Sequence, residues 1–379
     1  MQRSRKKSKD SHVAFWTLLC GSLLTWLLFS CLNKRHSGGV RTFVSSRKRI
    51  QPPSFSLSNT VQLQPEPGSL SLADMVHVQS SLDCGAACTY VVPPSKKIGA
   101  LEGTKARSFD CPRTWLRLLS SCPAQAWPPP ESVPLLMQKE YTMDGTATVS
   151  NWYWQQKYSG ADALESDWDE LDLTKRIAAP NVVLATDGVH TYTLNTSNYV
   201  DNVLSLYSNG VRGRSGLVWG SEKPWAEIIL ARHGADHVLT VEYGRIASTH
   251  SKISATTPQN FAAYMAQTNK RVDFVFTYSS LEHSGLGRYG DSLNPFGDIE
   301  AASQSWCALK PGGLFFLGLP SSDEASSKDE LVWNAHRLYG PRRLAEMFAG
   351  FEFIASHREG SAPQESIIHV LRKPITSIV

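Results

Sequence analysis

The fold of this chain is constrained most by a regular alternation of short apolar runs and helical periods that begins after about Tyr199. Strand-type runs recur in SGLVWGS, HVLTVEYG, KISAT, RVDFVFTYSS and LKPGGLFFLGLP. Segments of helical periodicity such as PWAEIILARHG and NFAAYMAQ separate them, and FEFIASH and SIIHVLRK close the chain as strands. This alternation is typical of a parallel sheet with crossover helices. The sequence therefore predicts an α/β domain with a parallel sheet over residues 199–379.

An uncharged stretch of 20 residues, Val13–Leu32, lies far ahead of this domain between two basic clusters. Its length suits a helix that crosses a bilayer. A cleaved signal peptide would have a shorter apolar region and a small-residue cleavage site, and a buried core helix would lack the basic flanks. We predict a single-pass anchor at 13–32, behind a basic cytoplasmic tail at 1–12 and before a disordered stem at 33–72 that is rich in Ser, Pro and Gln.

The net charge of +4 is unevenly distributed along the chain. Residues 1–49 hold 11 of the 38 lysines and arginines but only one of the 34 acidic residues, so the remainder of the chain carries a net charge of −6. A net acidic body has no general electrostatic reason to bind a phosphate backbone. We therefore expect the membrane, through residues 13–32, to be a partner, and we expect no nucleic-acid partner.

Four cysteines follow the stem, at Cys84, Cys88, Cys111 and Cys122. An even set in this position is typical of disulfides in a secretory compartment, and its three pairings stay open. The alternative, a zinc site at Cys84 and Cys88, lacks the usual tighter spacing and a neighbouring histidine pair. Cys307, far away in the α/β domain, is expected to be a small buried apolar residue.

The sequence Asn195-Thr196-Ser197 is an acceptor for N-glycosylation. Together with the cysteines, Asn195 favours a lumenal body, because the basic residues on the two sides of the anchor nearly balance and leave its orientation open. We expect a single-pass membrane protein of the Golgi or endoplasmic reticulum with its C-terminal domain in the lumen.

Residues 73–198 form a cysteine-containing and acidic N-terminal extension whose function the sequence does not reveal. Within it, Asp167-Trp168-Asp169 has the short acid-x-acid pattern that can bind a metal and a nucleotide. Glycosyltransferases share the arrangement of anchor, stem and lumenal domain, so this triplet keeps that class open. The triplet is expected to lie in an acidic helix rather than at a strand end, which counts against it.

Several motifs occur in a fixed order: GLVWGSEKPWAEIILARHGADHVLTVEYG, VDFVFTYSSLEHSG, LKPGGLFFLGLP and NAHRLYGPRRLAEMFAGFEF. In this order they resemble the class I S-adenosylmethionine-dependent methyltransferase fold, and in particular a family of unknown function from nematodes and other eukaryotes. The resemblance covers about residues 200–375. Its most specific parts are Ser280-Leu281-Glu282-His283, the Lys310-Pro311-Gly312-Gly313 turn, and the acid that closes the second strand.

The resemblance implies a Rossmann-like, doubly wound sheet with an S-adenosylmethionine site at the carboxyl ends of its strands. Glu242, at the end of the second strand, would accept the ribose hydroxyls, or would merely face water. Glu222 would bind the amino group of the methionine moiety, or would favour a helix N-terminus. The turn keeps one glycine where the family at large has two or three, so a non-catalytic copy stays open. The expected cofactor-binding residues are Gly220, Ser221, Glu222, Glu242, Tyr278 and Ser279.

A long polar loop follows the fourth strand, and ordering such a loop is costly unless it forms a site. Methyl transfer to a hydroxyl needs a base, so Glu282 and His283 are the candidate catalytic residues. The alternative is a scaffold in which Arg288 pairs with Asp291 or Asp298 and His283 caps a helix. We expect no metal site here, because the sequence has no pair of metal-ligand residues at helical spacing to support one. The expected substrate-binding residues are Arg288, Tyr289, Asp291, Asn294, Asp298, His336 and Arg337.

These observations predict a membrane-anchored, methyltransferase-like protein that uses S-adenosylmethionine and O-methylates a glycan or another secretory-pathway substrate. The substrate class follows from the expected location alone. The alternatives are a non-catalytic methyltransferase-like binding module and a glycosyltransferase.

Overall fold

The computed structural model of the chain describes residues 109–119, 128–153, 165–189, 194–268, 270–322, 327–359 and 366–375. The expected tail, anchor and stem (1–12, 13–32 and 33–72) lie outside the described residues, as do Cys84, Cys88 and Cys122. Among the helices that are described, none has both the length and the apolar character to cross a bilayer. All of the described residues belong to one compact unit.

The described helices and strands follow one another as the alternation predicted from about Tyr199 onwards. The helices are α1 (Cys111–Leu119), α2 (Gln138–Tyr141), α3 (Glu170–Ile177), α4 (Val182–Thr186), α5 (Leu194–Leu206), α6 (Ser208–Val211), α7 (Trp225–Arg232), α8 (Pro258–Thr268), α9 (Gly297–Ala308) and α10 (Pro341–Phe348), with short 3-10 turns at Leu135–Met137 and Leu281–His283. The strands are β1 (Thr148–Asn151), β2 (Glu165–Trp168), β3 (Ser215–Trp219), β4 (His237–Val241), β5 (Arg245–Ser248), β6 (Ile253–Thr256), β7 (Val272–Tyr278), β8 (Leu309–Pro320), β9 (Glu330–Trp333), β10 (His336–Leu338), β11 (Glu352–Arg358) and β12 (Ser366–Arg372).

A seven-stranded sheet forms the centre of the described part of the chain, in the order β11-β12-β8-β7-β3-β4-β6. The strands from β6 to β8 are parallel, whereas β12 runs antiparallel to β8 and β11 antiparallel to β12. The chain builds outwards from β3 in one direction and then from β7 in the other, so the strand order reverses between these two neighbours. The expected Rossmann-like, doubly wound α/β class is confirmed.

Helices cover both faces of this sheet, which is why its central strands are apolar on both sides. On one face, α5 and α7 pack on side chains that include Val218, Phe276 and Phe316. On the other, α1, α8, α9 and α10 pack on side chains that include Leu217, Val275 and Phe315. The sheet is therefore the middle of three layers, and its strand ends lie along the edges between the two layers of helices.

Helix α1, from the N-terminal extension, is held on the second face by a disulfide bond between Cys111 and Cys307. Trp115 of α1 is buried edge-on against Phe261 of α8. The expectation that Cys111 pairs within the set of four cysteines is therefore wrong, and Cys307 is more than a small buried apolar residue. Cys307 is indeed buried, but α9 turns it towards α1, which brings it to a cysteine 196 residues earlier in the chain.

Residues 128–153 form a second part of the extension and pack beside the polar loop that follows β7. Strand β1 joins β9 and β10 in a small sheet, in which it runs parallel to β9. The Tyr141 hydroxyl donates to Gly285 O at 2.5 Å, and Trp333 Nε1 donates to Pro130 O at 2.9 Å. The N-terminal extension thus supports the loop in which the candidate catalytic residues lie.

The acid-x-acid triplet does not lie in a helix, so that expectation is wrong. Asp167 and Trp168 end β2, which pairs with β5, and Asp169 caps α3 by accepting a hydrogen bond from Asp172 N at 2.7 Å. Asp167 is exposed, whereas the Trp168 ring is buried. The capping role of Asp169 gives this acid a structural explanation.

Candidate functional site

The carboxyl ends of β3, β4 and β7 meet at the point where the strand order reverses. Gly220, directly after β3, has a φ of +71°, and its N–H donates to Val241 O at 3.0 Å. Ser280, after β7, donates from Oγ to Gly220 O at 3.1 Å. A Cβ atom at position 220 would stand 2.6 Å from that Oγ, so only glycine fits.

Glu242 directly follows β4 and closes this convergence on the other side. Its Oε2 accepts a hydrogen bond of 2.9 Å from Ser221 N, and its Oε1 accepts one of 2.6 Å from N of the next residue, Tyr243. Burial raises the pKa of Glu242. Hydrogen bonds from three main-chain N–H groups, those of Tyr243, Ser221 and Gly244, partly oppose that shift. A carboxylate has four acceptor sites, so one stays available for a further donor. The carboxylate is thus oriented by the turn after β3 and can still accept a hydroxyl group.

The other expected cofactor-binding residues differ in placement. Glu222 is exposed, ahead of the start of α7. The Tyr278 ring packs edge-on against Trp225 at 5.7 Å, and its hydroxyl donates to Glu359 Oε2 at 2.7 Å. Ser279 has a φ of +48°, a conformation that non-glycine residues rarely adopt and that is often found at functional sites.

Glu282 lies in the short 3-10 turn that follows Ser280, and its side chain is only 1% exposed. Its Oε2 is buried and has no hydrogen-bond partner. Burial raises the pKa of Glu282 from 4.5 to about 7, although a hydrogen bond with the Ser279 side chain partly opposes that shift. A buried carboxyl oxygen without a partner is rare in folded proteins, and it is the polar atom here that most needs a ligand.

The neighbouring His283 is buried and held in one tautomer. Its Nδ1 lies 2.6 Å from Ala335 O, and a carbonyl can only accept, so Nδ1 carries the hydrogen and Nε2 has the free lone pair. Nε2 is 3.7 Å from Glu282 Oε1. Burial, with the positive charge of Arg288, lowers the pKa of His283 to about 3. The imidazole is therefore neutral and a weak base.

Three of the expected substrate-binding residues lie around His283. The Tyr289 ring is 5.5 Å from the imidazole and the His336 ring is 6.2 Å from it, both edge-on. Arg288 donates from Nη1 to Ala335 O at 3.2 Å. All three side chains are partly exposed, so this group forms an accessible rim beside the buried Glu282.

Asp291 and Asn294 instead stabilise the loop itself. Asp291 Oδ2 accepts the Gly285 N–H at 2.7 Å, and Oδ1 accepts the Tyr289 N–H at 3.2 Å. The Asn294 side chain accepts the Phe296 N–H and donates to Glu300, at 2.9 Å in each case. Their hydrogen-bonding groups are thus used within the loop, as the scaffold alternative expects.

Asp298 and Arg337 also have structural roles, and Asp298 is bound by Arg343, a residue that the sequence did not reveal as important. Arg343 binds Asp298 with two hydrogen bonds, of 2.7 and 2.6 Å, and the Tyr339 hydroxyl donates a third at 2.9 Å. Burial opposes ionisation of Asp298, but the charges of Arg337 and Arg343 prevail and lower its pKa to about 2.

Arg337 holds the loop after β7 by donating to its main-chain carbonyl groups. Its guanidinium donates to Ser284 O at 2.7 Å, Glu282 O at 3.3 Å and Asn294 O at 3.4 Å. A fully buried arginine that satisfies main-chain carbonyls fixes the course of the loop. One signal for Arg343 was available in the sequence, since in the helix PRRLAEMF it lies one turn before the apolar Met347 and so on the buried face.

A buried glutamate in α7, Glu227, was also missed. It is 0% exposed and lies 3.0 Å from Ser221 Oγ and 2.6 Å from Thr240 Oγ1. Burial raises its pKa from 4.5 to about 7. An acid inside the apolar run AEIILA was the signal that could have found it.

Two further expectations concern groups away from this edge of the sheet. Asn195, the glycosylation candidate, is exposed at the second residue of α5. Over the described ranges there is no group of three or more His, Cys, Asp or Glu side chains that could hold a metal ion.

Residues 213–374 match the model of a family described as a Caenorhabditis protein of unknown function, DUF268. This confirms the resemblance drawn from the motifs, over somewhat less than half of the chain. No curated protein matches the sequence.

Solved methyltransferase structures are similar to the chain at a greater distance. The 1,6-didemethyltoxoflavin-N1-methyltransferase of Burkholderia thailandensis, with bound S-adenosylhomocysteine, is 16% identical with a TM-score of 0.35, over 46% of this chain and 76% of that one. The N-methyltransferase NodS of Bradyrhizobium japonicum WM9 is 14% identical with a TM-score of 0.34, over 50% and 99%. Magnesium protoporphyrin IX methyltransferase of Synechocystis PCC 6803, with bound S-adenosylmethionine, is 13% identical with a TM-score of 0.34, over 54% and 90%. The fold assignment itself rests on the strand order.

Proposed function

We propose that this chain is an S-adenosylmethionine-dependent methyltransferase. The observation that carries the proposal is the convergence of Gly220, Glu242 and Ser280 at the point where the strand order reverses. Glu282 follows Ser280 by two residues, and one of its carboxyl oxygens is buried without a hydrogen-bond partner. Ligands of open α/β sheets bind at this point. The family resemblance points to the same class of cofactor.

The residues present fit the cofactor chemically. Beside its three main-chain donors the Glu242 carboxylate keeps an acceptor site, which suits a ribose hydroxyl of a nucleoside. Gly220 leaves the main chain bare at the turn after β3, so a ligand can approach it closely. When bound, the cofactor would supply a methyl group activated by a positively charged sulfur.

The roles of Glu282 and His283 follow from their pKa values. A base works best when its pKa lies near the working pH, so Glu282, with a pKa of about 7, suits removal of a proton from an acceptor hydroxyl. His283, with a pKa of about 3, cannot store that proton at neutral pH. Its Nε2 lone pair can instead accept a hydrogen bond from the acceptor and orient it. Glu282 is thus the base and His283 the positioning group.

The acceptor in this proposal is a hydroxyl of a glycan or another secretory-pathway molecule, on a protein anchored by residues 13–32 with its body in the lumen. The Cys111–Cys307 disulfide supports an oxidising compartment, and the exposed Asn195 side chain suits glycosylation there. Arg288, Tyr289 and His336 form the accessible rim that such an acceptor would contact first.

Titration calorimetry of the purified full-length chain with S-adenosylhomocysteine tests the proposal. We expect binding with a Kd in the range of about 1 μM to 1 mM, the usual range for enzyme ligands. Glu242→Ala should weaken it about tenfold or more, since a hydrogen-bond acceptor for the ribose is lost. Asp167→Ala, which removes an exposed acid at the end of β2, is the matched control and should bind as the wild type does. Transfer of a labelled methyl group to a panel of glycans then tests the acceptor.

A non-catalytic binding module is the second candidate, and one observation favours it. The turn after β3 keeps a single glycine, and the charge of Glu222 adds to the burial that raises the pKa of Glu242. If millimolar S-adenosylhomocysteine gives neither heat nor a thermal shift, the methyltransferase proposal fails and the module stands. Loss of activity with a sugar nucleotide on Asp167→Ala would instead support the glycosyltransferase alternative.

A further inference from the structure

The turn after β3 lacks the glycines that usually define a cofactor-binding turn, so something else must hold its shape. Its Ser221 has a buried side chain that points into the molecule, away from the exposed neighbours Glu222 and Lys223. Ser221 Oγ donates to Lys223 O at 2.7 Å, which closes the turn on itself. The same Oγ lies 3.0 Å from Oε2 of Glu227, which is in the first turn of α7.

Glu227 connects this turn to the neighbouring strand. Its other oxygen, Oε1, accepts a hydrogen bond of 2.6 Å from Thr240 Oγ1, two residues before Glu242 in the chain. Ser221 N in turn donates to Glu242 Oε2. The contacts therefore form a closed ring, from Glu242 through Ser221, Glu227 and Thr240 back along β4 to Glu242.

We propose that Glu227 is a positioning residue that locks the single-glycine turn to the end of β4 and so aims the Glu242 carboxylate at the ribose of the cofactor. This inference rests on the methyltransferase proposed above. Glu227 contacts neither the cofactor nor the acceptor and acts through Ser221 and Thr240. It takes over the task of holding the turn, which extra glycines and an acid at the end of the first strand perform elsewhere.

The hydrogen-bonding chemistry of the ring explains why a carboxyl group is used here. Ser221 Oγ has one hydrogen and two acceptors in reach, Lys223 O at 2.7 Å and Glu227 Oε2 at 3.0 Å. When that hydrogen goes to the nearer Lys223 O, Oγ becomes an acceptor towards Glu227. A protonated carboxyl group can donate to Ser221 Oγ with one oxygen and accept from Thr240 with the other. The pKa of Glu227, which burial raises to about 7, makes this protonated form accessible near neutral pH.

Three substitutions in the full-length chain test the proposal. Glu227→Gln keeps one donor and one acceptor at the same positions, so its Kd for S-adenosylhomocysteine should stay within about twofold of the wild type. Glu227→Leu keeps the bulk but removes both hydrogen bonds and should raise that Kd about tenfold or more. Thr240→Val removes one side of the ring and should raise it about fivefold.

Ile228→Ala is the control for a general loss of stability, because Ile228 is fully buried in the same helix and its side chain is outside the ring. It should lower the melting temperature and leave the Kd within about twofold. If Ile228→Ala weakens binding as much as Glu227→Leu does, or if Glu227→Leu binds as the wild type does, the proposal is overturned. Should Glu227→Leu not fold, the contrast between Glu227→Gln and Thr240→Val decides the question.

A second readout needs no ligand. The amide hydrogen of Ser221 is held by Glu242, so its exchange with solvent should be about tenfold faster in Glu227→Leu and Thr240→Val than in the wild type and in Ile228→Ala. Unchanged exchange in both ring variants overturns the positioning role. If the wild type binds no S-adenosylhomocysteine, the methyltransferase proposal fails, and the exchange rates still show whether Glu227 holds the turn.

Discussion

At the scale of single residues, two adjacent side chains in the loop after β7 are buried with opposite effects. Burial disfavours the charged form of each, which raises the pKa of the Glu282 carboxyl and lowers that of the His283 imidazole. One short turn therefore holds a base that titrates near neutrality and a neutral hydrogen-bond acceptor. Such a division of roles is typical of sites that move a proton.

Glu282→Gln should lower kcat by about a hundredfold or more, because it removes the general base while its size is conserved. The wild-type rate should rise with pH through about 7, as Glu282 loses its proton, and the variant should lose this step. The affinity for S-adenosylhomocysteine should not change. Initial rates from pH 5 to 9 measure both effects.

Glu352→Gln is the matched control for that experiment, because Glu352 pairs with Arg372 on the outer strands and is half exposed. It should keep the wild-type profile. A Glu282→Gln enzyme with unchanged kcat would contradict the assignment of the base.

The sequence made Glu282 and His283 candidates through their position after the fourth strand, but it could not rank them. Ranking depends on Ala335, 52 residues away, whose carbonyl holds the imidazole in one tautomer. Asp298 shows the same limit, because its partner Arg343 is 45 residues away. A long polar loop indicates a functional site in the sequence. Only the packed structure separates the side chains that hold the loop in place from those that stay accessible to a ligand.

At the scale of helices and strands, α1 lies outside the α/β alternation and yet covers one face of the sheet. Trp115 packs on Phe261, the guanidinium of Arg117 lies 3.2 Å from Glu300, and Cys111 is bonded to Cys307. A helix of nine residues is too short to be stable alone, so these contacts are what hold it.

Cys111→Ala with Cys307→Ala should lower the free energy of unfolding by about 2–5 kcal/mol, since the bond closes a long loop in the unfolded chain. Urea unfolding of the oxidised wild type and of the double variant measures the difference. Mapping of peptides without reduction should recover the two cysteine peptides joined. Recovery of Cys307 with a free thiol would contradict the pairing.

Element patterns were predicted well from the sequence wherever periodicity was strong, as in β3, α7 and β7. The patterns failed where a short segment had no period of its own. Asp167 looked helical among its acidic neighbours, but pairing with β5 makes it part of a strand. Strand β1 was not foreseen, because its four residues are exposed and only the pairing with β9 defines it.

At the scale of the whole molecule, buried ionisable groups make stability depend on pH. Glu227 and Glu282 have folded-state pKa values of about 7, above the ordinary 4.5, so the folded state binds more protons than the unfolded one between these values. Their contribution is therefore full below about pH 4.5 and is lost as the pH rises through 7. Asp298 acts in the opposite sense, as its contribution is lost when the pH falls from about 4 to 2.

The double variant Glu227→Gln/Glu282→Gln should therefore gain stability relative to the wild type as the pH rises from about 4.5 to 7.5. The gain is up to about 3 kcal/mol for each group at the upper end. Urea unfolding at half-unit pH steps gives the difference in unfolding free energy. A difference that stays constant over this range would contradict the raised pKa values.

The Cys111–Cys307 bond has a consequence for how the protein is made. Cys307 lies 196 residues after Cys111 in the chain. At a synthesis rate of roughly 5–20 residues per second, it is therefore added about 10–40 s after Cys111. During that interval the nearest thiols to Cys111 in the chain are Cys88 and Cys122. Early bonds to either one would have to be exchanged before α1 could take its place, so biosynthesis of this protein should depend on a disulfide isomerase.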